Sequence, residues 1–332
     1  MERVVKFKSG KIELSGTFAI PDNFKGKLPA FVLVCGSGPN DRDYNPDPKF
    51  VPSEIKELLK KLEIPLEKLN LNIYNRMSDH LIQEGFAVLR YDKRGVGASG
   101  GDYKKRTLRD LISDVRAAIR FVRSQPEVDP SKVGVIGHSE GGIIGPVVCA
   151  EDPTIAALVV CSASASKIED IMLHQAECNK KEITQMAPKE REKWGIKKGY
   201  NPVKSTLEII EKVKNGEDYI EIHGEKESTK WWREHFEHHP IATIKKVKCP
   251  VLIVHGEKDF QVPYENATKL KNALIESSNA HITLLIFPNI DHLLKFEPQE
   301  SGEFRYAQTL DREVEPIILK SISSWAKQLF FC

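Results

Sequence analysis

A serine, an aspartate and a histidine, each placed just past an apolar run, give this sequence its clearest chemical signature. Ser139 lies in GHSEGG, flanked by Gly137 and Gly141, and the β-branched run 133–137 leads directly into it. A strand–turn–helix setting of this kind holds a serine exposed on a strained turn, while the glycines let strand and helix approach closely. A serine hydroxyl is a weak nucleophile at neutral pH, so it needs a base, and the base needs an orienting acid. Asp259 follows the run 251–255 in VLIVHGEKDFQVP, and His292 follows the run 282–287 in LLIFPNIDH. Serine, acid and histidine in that order suit acyl transfer through a covalent intermediate.

Neighbouring titratable residues rank lower by position. His281 precedes its strand and belongs to the opposite sheet edge, while His255 reads as a packed or hydrogen-bonded strand residue. Glu257 is the alternative acid, and Asp291 reads as a loop or capping carboxylate. A developing oxyanion needs N–H donors. The backbone N–H of Glu140, directly after the serine, supplies one, and that of Ser37, in CGSGPNDRD after the run 30–35, supplies the other. The side chains of Ser37 and Glu140 are assigned no chemical task. Trp231 and Trp232 are candidates to line an acyl pocket, with packing onto the core as the competing reading. Arg42 is a candidate substrate contact, with an Arg42–Asp43 ion pair near the entrance as its rival. His235, His238 and His239 lack companion ligands at metal spacing, so no metal is assigned. The basic run 104–106 reads as a solvated approach to a helix.

The elements that must position these residues alternate between short β-branched runs and helical patterns, the signature of a mostly parallel sheet covered on both faces. An antiparallel hairpin, 4–8 with 12–19, leads into strands at 30–35, 86–91, 133–137, 156–161, 251–255 and 282–287. Helices are predicted near 74–84, 107–124, 140–150, 265–275 and 312–329. In the second of these, Leu108, Leu111, Ile112, Val115, Ile119 and Val122 recur at helical spacing. Two segments break the rhythm. Residues 39–73 form an insertion with a small amphipathic helix near 53–62, and residues 166–248, charged and rich in helix formers, read as a helical cap. The core is then 1–165 with 249–332.

The 332 residues carry a formal charge of +2, which gives no pull toward nucleic acid or anionic membrane. No apolar run approaches the roughly 20 residues of a membrane span, and the N-terminal stretch lacks the apolar centre of a signal peptide. Six cysteines, at 35, 149, 161, 178, 249 and 332, form no C-x-x-C pair. Reduced thiols in a cytoplasmic protein are expected.

YDKRGVGASGG contains a literal G-x-G-x-x-G at Gly95, Gly97 and Gly100, the pattern of an NAD-binding oxidoreductase. Asp92, Lys93 and Arg94 separate those glycines from their strand, however, and the next helix is delayed to about residue 107. No strand ending in an acid follows at about 20 residues. The turn is therefore read as support for the serine-bearing face.

GHSEGG, HGEKDFQVP, PNIDH and the D-x-R-G-x-G-x-S turn together resemble the α/β-hydrolase superfamily. GSGPNDRD followed by RYDKRGVGASGG, and the segment WWREHFEHHP, are similar to a group of carboxylesterases related to prolyl-oligopeptidase-like hydrolases. The resemblance implies an α/β-hydrolase fold with a lid and hydrolysis of short to medium acyl esters. It implies a small-molecule ester substrate, no metal or organic cofactor, and leaves a homo-oligomer open. A thioesterase, acyltransferase or small peptidase would use the same three residues; a hydrolase-fold binding protein without turnover is the rival of another class. Cys35 stands where many relatives carry histidine, and the insertion 39–73 is longer than usual.

Overall fold

The computed structural model describes residues 1–222, 225–299, 302–304, 306 and 312–331. Cys332 lies outside the described residues. The chain opens with β1 (Glu2–Ser9), β2 (Ile12–Ala19) and β3 (Leu28–Val34). Next come α1 (Ser53–Lys61), α2 (Ile73–Gln83), β4 (Ala87–Tyr91), α3 (Leu108–Arg123), β5 (Val128–His138), α4 (Gly141–Glu151) and β6 (Ala157–Cys161). A long excursion holds α5 (Ile168–Gln185), α6 (Pro188–Lys193), α7 (Pro202–Lys214), β7 (Tyr219–Ile222), β8 (Glu225–Ser228), α8 (Lys230–Glu237) and α9 (Pro240–Ile244). The core closes with β9 (Val251–Gly256), α10 (Glu265–Glu276), β10 (Ile282–Phe287) and a C-terminal helix, α11 (Pro316–Phe330).

Among the described residues the central sheet has eight strands in the order β1-β2-β4-β3-β5-β6-β9-β10. The first three pair antiparallel and the rest are parallel. Burial explains the sequence of the central strands: every residue of β3 and β4 is buried, because helices cover both faces. One face packs on α3, α4 and α10 through residues such as Val135, Val115 and Leu270. The other packs on α2 and α11 through Phe31, Met77 and Ile322. The expected stripe of α3 is buried, and its start is fixed by a capping box between Thr107 and Asp110.

Several boundaries differ from expectation, among them the start of β5, at Val128 where residue 133 was expected. The C-terminal helix begins at Pro316, not residue 312. Pro316 occupies the first turn, where a missing N–H costs nothing, and Glu315 before it is extended. Arg312 instead donates to the backbone oxygen of Phe296. The excursion between β6 and β9 is also not purely helical: β7 and β8 pair as an antiparallel hairpin. Their four-residue, charge-bearing strands carry no alternation strong enough to be read. No helix among the described residues is long and apolar enough to cross a membrane.

Register sets up the site. Val34 pairs with Gly137, Gly137 with Val160, Cys161 with Val254, and Gly256 with Phe287. The carboxyl ends of β3, β5, β9 and β10 therefore finish side by side, and the loops leaving them share one edge.

Candidate active site

Ser139 occupies the turn between β5 and α4 with φ +54°, the left-handed region that a serine enters only under constraint. The neighbouring glycines supply that constraint. A Cβ on Gly137 would lie 2.1 Å from the Gly141 oxygen, and one on Gly141 would lie 1.9 Å from the Val34 oxygen. Strand and helix are closer than any side chain allows, and the Ser139 N–H is anchored on the Cys161 oxygen at 2.9 Å. Ser139 is half-buried on the wall of a cleft of about 140 Å³.

Asp259 and His292 meet from adjacent loops. Backbone bonds from Glu257 to Phe287 and from Lys258 to Ile290 lace the turn after β9 to the one after β10. The Asp259 carboxylate is buried. Its Oδ1 accepts the N–H groups of Gln261 and Val262 at 3.0 and 2.8 Å, and its Oδ2 accepts Nδ1–H of His292 at 2.8 Å. His255 Nε2 lies 3.1 Å from the same Oδ2 and 2.9 Å from the Val262 oxygen. Burial works to raise the Asp259 carboxyl, but the two histidines and their hydrogen bonds hold it well below the usual carboxylate range. The rival positions fall elsewhere. Glu257 is exposed, Asp291 caps its loop by accepting the N–H groups of Leu293 and Lys295, and His281 directly precedes β10 at the far edge.

Among the described residues, the backbone N–H groups of Ser37 and Glu140 have no protein acceptor. Both residues line the cleft with Ser139. A hydrogen-bond chain that sequence reading missed braces this region. Gly36 N–H donates to Tyr44 Oη at 3.0 Å, so the Tyr44 hydroxyl hydrogen is available to His138 Nδ1, 2.6 Å away. His138 Nε2–H then donates to the backbone oxygen of His292 at 2.6 Å. This fixes a neutral His138 tautomer, and burial lowers its pKa to about 3. The loops after β3, β5 and β10 are thereby joined beneath Ser139. His138, adjacent to Ser139, could have been suspected from position; Tyr44, in the insertion after β3, carried no signal.

The side chain of Glu140, assigned no chemical task from the sequence, has structural partners. Fully buried, it lies 2.8 Å from Lys93 Nζ, accepts Trp231 Nε1–H at 2.7 Å and sits 3.4 Å from His235 Nε2. Burial would raise this carboxyl, yet Lys93, His235 and Arg106 bring it down to about 2. The glycine turn after β4 explains Lys93. Asp92 binds Arg42, Lys93 binds Glu140, and Arg94 makes a buried two-point pair with Asp114. Gly95 and Gly97 have positive φ, and a Cβ on either would strike Tyr103 or Asp92. The glycines fold the chain around these charges.

Arg42 is not among the residues lining this cleft, and it is not the ion-pair partner of Asp43. Its guanidinium is spent on Asp92, Thr17 and Ser15, while Asp43 pairs with Arg90. Residues adjacent in sequence point apart here, and each finds its partner across the sheet. Trp231 and Trp232 do line the cleft, packed edge to face at 4.6 Å, and Trp231 also ties α8 to Glu140. His235 stacks on Trp231 at 4.0 Å, and no cluster of three or more ligating side chains occurs among the described residues. Arg106 is not simply solvated: its guanidinium lies 3.7 Å from the Tyr103 ring centre, in a second cleft of about 500 Å³ that shares Ser37 and both tryptophans. A cavity of about 570 Å³ beyond Asp259 lacks Ser139, so the smaller cleft is the candidate site.

The sheet order and the loops gathered at its carboxyl edge define an α/β-hydrolase. Residues 70–299 match the family described as serine aminopeptidase, S33, also called Hydrolase_4, and the chain belongs to that family. Esterase EstD of Thermotoga maritima is 25% identical over 312 residues, covering 94% of this chain and 65% of EstD. Acylamino-acid-releasing enzyme of Rattus norvegicus is 23% identical over 231 residues, covering 68% of this chain and 27% of that protein. The chain thus spans less than two thirds of the length of either relative. Among solved structures, Est1E of Butyrivibrio proteoclasticus with bound ferulic acid shares the fold at a TM-score of 0.62 and 18% identity, over 99% of this chain and 100% of that one.

Proposed function

We propose that this protein is a serine hydrolase that cleaves short to medium acyl esters. The observation that carries the reading is the 2.8 Å contact from Asp259 Oδ2 to His292 Nδ1, in the loops beside a cleft walled by Ser139. With Nδ1–H given to Asp259, His292 Nε2 keeps its lone pair for a proton. Ser139 Oγ attacks the ester carbonyl carbon as His292 Nε2 takes its proton, and the N–H groups of Ser37 and Glu140 receive the developing oxyanion. Collapse expels the alkoxide, protonated by His292, and leaves an acyl-Ser139 ester. Water then attacks that ester with His292 as base, releasing the acid. Residues 166–248 act as a cap that closes the acyl side through Trp231, Ile171 and Met172.

The same three residues could serve amide or thioester cleavage. An aminopeptidase, however, needs an acceptor for the substrate's ammonium group, and the carboxylate in this cleft, Glu140, is already taken by Lys93 and Trp231. That favours esters. The test compares p-nitrophenyl acetate and butyrate with aminoacyl p-nitroanilides, using the wild type and Ser139→Ala. Ester turnover lost in Ser139→Ala supports the reading, whereas equal turnover in both proteins would remove it.

A further inference from the structure

Lys93 lies outside the cleft, in the turn after β4, and its side chain is buried. Its ammonium nevertheless touches both residues that bracket the two open N–H groups: it donates to the backbone oxygen of Gly36 and to Glu140 Oε2. The Gly36 carbonyl and the Ser37 N–H are opposite ends of one peptide unit. No peptide among the described residues is cis, so the two groups point in opposite directions. A cation held on the carbonyl therefore sets where the N–H points. The loop has no slack to accommodate another arrangement, since a Cβ on Gly36 would lie 2.0 Å from Tyr44 Oη and 3.0 Å from the Ser139 Cβ. If the peptide were reversed, the carbonyl would face the reacting carbonyl oxygen and repel it.

We infer that Lys93 is a positioning residue for the oxyanion hole: it holds the Gly36–Ser37 peptide with its N–H toward the reacting carbonyl, and it ties that peptide to Glu140, the residue bearing the second donor. The inference rests on the serine-hydrolase reading above. Asn40 Nδ2 also approaches the Gly36 oxygen, at 3.4 Å, but it is neutral and distant, and its shorter bond, 2.7 Å, goes to Ser37 O. The charge-assisted bond from Lys93 is the stronger restraint, and it polarises the peptide so that the Ser37 N–H becomes a better donor. Lys93 and Glu140 then form more than a buried ion pair. One charge orients a donor, and the other balances that charge while gripping Trp231 of α8.

The two roles separate in the double variant Lys93→Met/Glu140→Gln, which leaves no unpaired buried charge and keeps an amide oxygen for Trp231. With p-nitrophenyl butyrate, KM should stay within about threefold while kcat falls about tenfold to a hundredfold, less than or near the loss of one oxyanion donor. Affinity for a trifluoromethyl ketone with the same acyl group, whose hydroxyl adduct places an oxyanion in the hole, should fall by the same factor. Wild-type kcat and ketone affinity in the double variant would overturn the inference and leave a purely structural pair. Should the double variant fold poorly, Lys93→Leu/Glu140→Gln, which likewise strands no buried charge, is measured instead, with KM and ketone affinity read from folded molecules only. Weakened ketone affinity at an unchanged KM then supports the role of Lys93, and wild-type affinity overturns it. The wild type separates the two levels. A wild type without ester turnover fails the underlying reading, while an active wild type with unaltered variants fails only the role of Lys93.

Discussion

Tyr44 Oη and His138 Nδ1 lie 2.6 Å apart, buried, with the Tyr44 oxygen also accepting the N–H of Gly36. One hydroxyl therefore joins the insertion after β3 to the residue preceding Ser139, and through His138 to the backbone of His292.

Tyr44→Phe removes that hydroxyl and strands two buried polar groups, the Gly36 N–H and His138 Nδ1. A stability loss of about 1–3 kcal/mol is expected in urea unfolding. Ester kcat should fall about tenfold, as the Gly36 loop loses a restraint near the reacting carbonyl, where small misplacements are costly. Wild-type values for both quantities would show that the hydroxyl braces nothing.

Asp259→Asn keeps the shape of the acid but removes the acceptor that fixes His292 with its proton on Nδ1. A kcat loss of about 10⁴ is expected, with KM for p-nitrophenyl butyrate little changed. A loss below tenfold would move the acid's role to another carboxylate, with Glu257 the first to be substituted.

Stability should fall on the acid side, with a share traceable to His138. Its pKa is lowered by burial from 6.5 to about 3 in the folded protein. Between those values the unfolded chain binds a proton that the folded chain refuses, so this contribution is complete above pH 6.5 and is lost as pH falls. The slope is about 1.4 kcal/mol per pH unit for one proton. Buried Asp291, raised to about 6, works the other way, taking up its proton first in the folded state. Urea unfolding of wild type and His138→Gln at pH 7.5 and 5 cancels the other groups. The variant should lose less stability between the two pH values, and parallel profiles would contradict a neutral buried His138.

The strands and the positions of Ser139, Asp259 and His292 were legible because each residue sits a few positions beyond a β-branched run that only a buried strand explains. The carboxyl ends of parallel strands share an edge, so sequence position translated directly into space. The bracing residues had no such signal. Lys93 reaches Gly36 and Glu140 from 57 and 47 positions away, and Tyr44 reaches His138 across 94. Arg42 misled for the same reason. Asp43 is adjacent in sequence, yet Arg42 binds Asp92 and Asp43 binds Arg90, because packing of the loop after β3 against β4 decides the pairs. The charges that the glycines of YDKRGVGASGG fold around, Asp92, Lys93 and Arg94, showed their partners only in three dimensions.

The central claim, that Ser139 is a nucleophile activated by His292 and Asp259, is tested most directly by fluorophosphonate labelling followed by peptide mass spectrometry. A single adduct on Ser139 is expected in the wild type, absent in Ser139→Ala and strongly slowed in His292→Ala. No adduct on Ser139 in folded wild-type protein, or equal labelling of Ser139→Ala, would contradict it.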